Sequence, residues 1–545
     1  MQILIKKYKQ VILLVFIILI AAFLRFYQLG VNPPSLTWDE AAWGYNAYSL
    51  GIDGKDEFGR FLPYDYLESF GDFKPPIYAY LTVLPAKILG LNEFATRFPS
   101  ALFGVLTVLL TYFLVKRIFW KSEKKEQYAL FSSLILAISP WHIMLSRAAF
   151  EANVASFFVV LGIWGFLAGV QNKKWYLVIS SIAFALSMYT FNTPRVVAPI
   201  LVLLLVIIFR KRLLEIKKQT IIAFIVGLLV FLPTFGFLLS PQAGLRFKEV
   251  NIFTDIEVVK TANREVANDN NAWWSKIMHN RRFLYSVEYV RHFLDNLNPN
   301  FLFIKGDGNP KFSTQEVGQL YIWDIIFLVG GLLFLFKKKE GNWWIIPLWL
   351  LIGIIPAATA RETPHALRIE TTLPTFQIFV AYGLVNIINS FKKWKYSLSF
   401  IIFVLLFINV LYFAHDYFVH YPISYSSEWQ KGYKESIAYV SQNKDKYDKI
   451  FISQSLGRPY IYYLFYMKID PKTFREQSIV RRDAFGFVTV EKVGKLYFTA
   501  NYPRERQGKS NNLYISDMTN IPENAKILKT FYLLNGQPVL VAYII

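Results

Sequence analysis

The 545-residue sequence contains no cysteine. That excludes disulfides, thiolate metal sites and cysteine nucleophiles, and it leaves the redox compartment undetermined. Charge is scarce as well: 18% of residues are charged while 54% are hydrophobic, so neither a disordered chain nor an ordinary soluble multidomain protein fits. Glycine-rich phosphate loops of the G-x-G-x-x-G and P-loop kinds are missing, which removes support for nucleotide binding. The six histidines show no H-E-x-x-H spacing, and Asp53 and Asp56 do not form the D-x-D that nucleotide-sugar transferases use, so no metal site is expected. No internal repeat or low-complexity stretch stands out.

What the chain does have is apolar and aromatic residue in quantity. Rings make up 18% of it, led by 49 Phe and 33 Tyr, which suits helices that pack in lipid and carry rings at the headgroup level. The net charge of +21 would permit nucleic-acid binding, but its location argues otherwise. Six short segments between apolar runs (Lys6–Lys9, Lys116–Lys125, Lys173–Lys174, Arg210–Lys218, Lys337–Lys339 and Lys392–Lys395) hold 21 basic residues against Glu123, Glu126, Glu215 and Glu340. They carry +17 of the +21, and the positive-inside rule makes them cytoplasmic. Nucleic acid is therefore not an expected partner.

Spans read between these anchors fall at about 10–28, 98–115, 128–146, 152–170, 175–191, 195–209, 220–239, 321–336, 343–359, 371–388 and 396–414. The expectation is a polytopic α-helical membrane protein of about 11 transmembrane helices, N-terminus cytoplasmic and C-terminus outside. Val11–Leu24 has the length of a signal-peptide core, but no A-x-A pattern follows and Arg25-Phe26-Tyr27 reads as an interfacial anchor, so the segment is expected to stay. Pro75–Leu91 would reverse the later charge pattern if it crossed the membrane, so it reads as an interfacial or re-entrant helix. The expected division is a membrane domain over 1–414, with outer loops at about 29–97 and 240–320, and an extracytoplasmic α/β domain over 415–545. In that tail the apolar runs shrink to strand length at Lys449–Ser453, Phe485–Val490 and Val539–Ile544, and Asn535-Gly536 signals a turn.

Asp39-Glu40, just outside the first span, is the most informative pair. A carboxylate held at the lipid–water boundary can take a proton from an attacking hydroxyl. The competing reading is local, with Asp39 as an N-cap for a helix begun by Ala41 and Ala42 and Glu40 favoured by the helix dipole. Six cations come from separate segments of the same outer face: Lys74, Arg97, Arg147, Arg195, His365 and Arg368. Singly each reads as a side chain reaching for headgroups; together they would form a site for an anionic lipid phosphate. Trp273-Trp274 reads as an interfacial anchor, and Asp324, inside an expected span, needs a partner or an interfacial place.

Three short elements in order, Trp38-Asp39-Glu40, Lys74-Pro75-Pro76 and Arg97-Phe98-Pro99-Ser100-Ala101, resemble the C-type integral-membrane glycosyltransferases. The likeness is to the group, family 39-like, that contains protein O-mannosyltransferases and the lipid A aminoarabinose transferase. It is firm over about 10–240, looser to 414 and absent from the tail. It implies a sugar donor on polyprenyl phosphate, inversion at the anomeric carbon, and no nucleotide or other cofactor, with metal dependence left open. On matching positions it implies Asp39 as general base with Glu40 completing the pair, Lys74 at the donor phosphate, and an important Arg97. Arg147, Arg195, His365 and Arg368 rest on the charge argument. The expected protein is a plasma-membrane hexosyl- or pentosyltransferase acting on a protein, lipid or polysaccharide. The alternative is a lipid-linked sugar flippase or transporter, against which the outer-edge position of the ionisable residues counts.

Overall fold

The computed structural model describes residues 2–483, 488–499 and 511–545. All eleven apolar stretches are helical: Gln2–Phe26, Glu93–Ile118, Lys125–Ile138 with Pro140–Arg147, Glu151–Gln171, Tyr176–Met188, Pro194–Glu215, Lys217–Leu238, Asp324–Lys338, Ile345–Ile354, Thr375–Ser390 and Lys395–His415. Among the described residues five helices are long and apolar enough to cross a membrane, or six when the pair bent by 56° between Ile138 and Pro140 counts as one span. The bend has a local cause, since proline cannot continue the hydrogen-bond ladder and its ring crowds the preceding turn. Helices such as Tyr176–Met188 and Thr375–Ser390, of 13 and 16 residues, fall short of the ~20 residues of a straight crossing. The stretch 75–91 forms a 13-residue helix, Ile77–Leu89.

The chain divides into two compact units. The first comprises Met1–Leu24, Phe103–Leu145 and Ala152–Phe413 and is built of helices. Its tightest pairing is between Asp324–Lys338 and Thr375–Ser390, where Gly331 faces the Phe379 carbonyl and Gly383 faces the Phe327 carbonyl so closely that a Cβ on either would collide with backbone. Small residues at such contacts let helix backbones approach where lipid removes the hydrophobic drive to associate.

The second unit gathers Arg25–Leu102, Ser146–Glu151 and Ala414–Ile545, so the first loop folds with the tail rather than with the rest of 1–414. Its short antiparallel pair is β1 (Leu67–Ser69) and β2 (Asp72–Lys74). A seven-stranded mixed sheet comprises β3 (Lys449–Ile452), β4 (Ser478–Arg482), β5 (Val488–Val493), β6 (Leu496–Phe498), β7 (Asn512–Ser516), β8 (Lys526–Tyr532) and β9 (Pro538–Ile544), in the order β4-β5-β6-β3-β7-β9-β8. The central strand β3 runs parallel to β6 and β7, and β7 is buried along its whole length, as expected for a strand covered on both faces. The β8–β9 hairpin turns at Asn535-Gly536, where Gly536 takes φ 83°. Of the strand expected at 485–490, Phe485–Phe487 lie outside the described residues and Val488 opens β5. The helix Pro459–Met467 packs Tyr460, Tyr462 and Phe465 into one core with Ala41, Ala42 and Tyr45 of the helix Trp38–Asp53.

Candidate functional site

Asp39 and Glu40 stand in the first turn of the helix Trp38–Asp53, and the N-cap is Thr37 rather than Asp39. Thr37 and Glu40 form a capping box: the Glu40 N–H donates to Thr37 Oγ1 at 3.2 Å, and the Thr37 N–H donates to Glu40 Oε2 at 3.0 Å. Two of the orphan donors of the helix start are thereby satisfied. With capping assigned to its neighbours, Asp39 is released from that duty.

Glu40 is wholly buried and forms an ion pair with Arg97, Nε to Oε1 at 2.8 Å and Nη2 to Oε2 at 3.2 Å. The Ala149 N–H also donates to Oε1 at 2.9 Å. Arg97 in turn donates to the carbonyls of Leu29, Pro33 and Ser35, so each of the five guanidinium N–H groups is spent. The pair expected at the reacting surface and at the donor phosphate is instead an internal brace tying three chain segments together. Neither member has a polar atom to offer a substrate. Arg147 is equally buried: it donates to the Asn32 carbonyl at 2.8 Å and to Tyr417 Oη at 3.3 Å, with its guanidinium over the Phe418 ring at 4.9 Å.

Lys74 and Asp39 have the opposite character. Lys74 ends β2, and its ammonium donates to Asp39 Oδ1. The Asp39 side chain is 51% exposed and that of Lys74 10%, so of the two adjacent carboxylates Asp39 is the one that solvent reaches. The Lys74 Nζ also lies 5.3 Å from the ring centroids of Trp43 and Phe70. Burial pushes the ammonium down, but the carboxylates of Asp39, Asp72 and Glu151 more than offset this and hold it above its ordinary value, fully charged at neutral pH.

Sequence reasoning missed Glu151. It opens the helix Glu151–Gln171 and acts electrostatically on Lys74; the available signal was an acid heading an apolar helix four residues after Arg147, overlooked in a search for cations. It also missed what the tail supplies: Trp429, whose ring lies under the Arg97 guanidinium at 5.7 Å, and Tyr462, whose hydroxyl donates to the Leu36 carbonyl at 3.0 Å.

The remaining three cations belong to the first unit. Arg195 donates from Nε to the Met188 carbonyl at 3.3 Å and stacks on Phe237 at 5.6 Å. His365 packs against Phe312 with centroids 5.0 Å apart, and its Nδ1 accepts from the Arg368 N–H at 3.4 Å. Arg368 donates to the Glu362 carbonyl at 3.0 Å. The segment carrying His365 and Arg368 is latched by Asp307, whose Oδ2 accepts from the Ala366 N–H at 2.6 Å. Asp324 is buried and its Oδ2 accepts from the Tyr321 N–H at 3.1 Å, within its own helix start. Among the described residues no three His, Asp or Glu side chains cluster closely enough to hold a metal ion.

Residues 73–237 match the family model of dolichyl-phosphate-mannose-protein mannosyltransferases. That stretch contains Lys74, Arg97, Arg147 and Arg195 and begins after Asp39. An uncharacterized protein of Aquifex aeolicus is 33% identical over 199 residues, which is 36% of this chain and 38% of that one. The Bacillus subtilis protein YkcB, whose name marks it as an unproven mannosyltransferase, is 26% identical over 172 residues, 31% of this chain and 22% of its own. The matches thus span well under half of either relative. In structure the chain is similar to ArnT from Cupriavidus metallidurans, with a TM-score of 0.57 over 98% of both chains at 12% identity in the apo state. Bound to undecaprenyl phosphate, ArnT gives 0.52. The coverage takes in the tail, where sequence resemblance is absent. The chain resembles the C-type integral-membrane glycosyltransferases of the protein O-mannosyltransferase and ArnT group, in sequence over residues 73–237 and in fold over nearly all of it.

Proposed function

We propose that the protein is an inverting glycosyltransferase of the plasma membrane. It moves a sugar from a polyprenyl-phosphate donor to an acceptor hydroxyl on the extracytoplasmic face, with Asp39 as general base. The observation that carries this reading is the division of labour between adjacent carboxylates: Glu40 is consumed by Arg97 and the cap, while Asp39 is half-exposed and paired with a charged lysine. In the reaction the acceptor oxygen bonds to the anomeric carbon as the bond to the phosphate oxygen breaks. The acceptor proton passes to the Asp39 carboxylate, and the electron pair leaves with the polyprenyl phosphate. Lys74 has three N–H donors and gives one to Asp39, so it is suited to bind the leaving phosphate and neutralise its charge. Arg97 and Arg147 act by holding the loop that carries Asp39. The scheme as written calls for no divalent ion.

The test is transfer of labelled sugar from a panel of polyprenyl-phosphate sugars to endogenous acceptors in membranes holding equal amounts of wild type or Asp39→Asn. Transfer by the variant is expected to fall by about 10²–10⁴-fold with donor binding retained. Equal transfer by both would remove Asp39 from the mechanism, and lipid-sugar movement without transfer would mark a flippase.

A further inference from the structure

Beside the sheet of the second unit lies a cavity of about 140 Å³, walled by Gln454, the segment Gly457–Tyr460, Phe498 and the β5 residues Val488, Thr489 and Val490. It holds the space of about five water molecules at ~30 Å³ each, well below the ~300 Å³ at which pockets for whole small-molecule ligands begin. One ring of a larger molecule is the scale it fits.

Its walls are of two kinds. Tyr460 and Phe498 present rings 6.5 Å apart at 66°, an apolar corner for a flat C–H face. Opposite them stand side chains with hydrogen-bonding groups. The Gln454 amide N–H donates to the Phe498 carbonyl at 2.9 Å, which turns the amide oxygen toward other donors. Arg458 donates to the Val488 carbonyl at 3.3 Å and stacks on Phe70 at 5.1 Å. Among the described residues no carboxylate lines the cavity. An apolar corner together with a neutral amide and one already engaged guanidinium matches a pyranose, which has apolar faces and a hydroxyl edge.

The cavity shares two walls with the residues around Asp39. Gly457 has φ +112°, and a Cβ built on it would meet the Trp38 ring at 2.6 Å, so the backbone that lines the cavity lies directly against the residue preceding Asp39. On the other side Phe70 touches both: its ring is 5.8 Å from that of Tyr460 and 5.3 Å from Lys74 Nζ, and its carbonyl accepts from the Val488 N–H at 3.2 Å. Trp38 and Phe70 thus connect the lining of the cavity to Asp39 and Lys74.

We propose that this cavity is an acceptor subsite and that the acceptor is a saccharide, bound through one ring while a hydroxyl of the neighbouring unit is presented to Asp39. The inference rests on the transferase reading above. Its test separates binding from turnover. The full chain in lipid nanodiscs is titrated with methyl glycosides of mannose, glucose, galactose and N-acetylglucosamine and followed by saturation-transfer NMR. Wild type and Asp39→Asn are expected to bind at least one of them equally. Gln454→Trp, which fills the mouth from a half-exposed position, is expected to lose about tenfold or more, and Gln454→Ala, which only removes the amide, several-fold. Unchanged thermal transitions in both variants show that folding is intact. Failure of wild type to bind any glycoside, or undiminished binding by Gln454→Trp, overturns the subsite. Transfer to a polypeptide acceptor with a KM unmoved by Gln454→Trp overturns the saccharide acceptor and leaves the transferase standing. Glycoside binding blocked by Gln454→Trp in a protein that transfers nothing upholds the sugar site and overturns the transferase.

Discussion

Glu40 and Arg97 are both without solvent exposure, and their polar atoms are committed to each other and to backbone. Such a pair adds little net stability over an apolar pair of equal shape, but removing one partner strands the other charge in the interior at about 3–5 kcal/mol. Arg97→Met should therefore lower the thermal unfolding temperature in detergent sharply, and the double variant Arg97→Met with Glu40→Gln should recover part of the loss. A single variant as stable as wild type would show that the brace is dispensable. Asp307 makes a second prediction at this scale. Burial raises its pKa to about 6, only partly offset by the N–H groups of Asn309 and Ala366 and by the charge of Arg368. Between about pH 4 and about pH 6 the folded chain then holds a proton that the unfolded chain has released, so stability is full below this window and falls as pH rises through it. Thermal unfolding across the window should show that decline in wild type, and Asp307→Asn should flatten it.

The helix Trp38–Asp53 is set by its cap, and the cap orients Asp39. Thr37→Ala should cost about 1 kcal/mol and, on the proposed mechanism, lower transfer more than stability, because the first turn that carries Asp39 would fray. Equal transfer in the variant would show that packing against Pro459–Met467 alone fixes the turn. The helix pair Asp324–Lys338 and Thr375–Ser390 depends on Gly331 and Gly383; Gly383→Val should reduce the yield of folded protein in detergent, whereas Gly330, which faces only the Ile387 side chain, should tolerate Ala far better.

Elements of this kind were readable because they are written in local pattern. The eleven apolar stretches and the Asn535-Gly536 turn each depend on neighbours within a few residues, whereas the break at Ser139-Pro140 falls inside the stretch expected as one span over 128–146. The pairing of the first loop with the tail was not readable, because it rests on contacts such as Asn32 Nδ2 with the Tyr417 carbonyl and the Tyr462 hydroxyl with the Leu36 carbonyl, formed between segments hundreds of residues apart. For the same reason Arg97 and Lys74 looked alike as cations on the outer face. What separates them is that one is enclosed on every side and the other edges an exposed carboxylate, and exposure is a property of the folded unit.

For the whole molecule, the distribution of charge carries a prediction about sidedness. The six basic segments stand at one set of helix ends, while Asp39, Lys74 and the tail lie between the others. Because lysine and arginine near span ends are retained on the cytoplasmic side, the tail and the Asp39 loop should both be outside, where a flipped polyprenyl-phosphate sugar would be met. The absence of cysteine permits a direct check, since any introduced thiol reports alone. Asn535→Cys, in the exposed β8–β9 turn, should react with a membrane-impermeant maleimide in intact cells. Lys211→Cys, exposed at the far end of Pro194–Glu215, should react only after permeabilisation. The reverse pattern would place the carboxylate of Asp39 on the cytoplasmic side and remove the extracytoplasmic donor from the mechanism. Labelling of both in intact cells would mean that the span count between them is even rather than odd, and would single out one of the short helices after Lys211, Ile345–Ile354 or Thr375–Ser390, as lying along the membrane instead of crossing it.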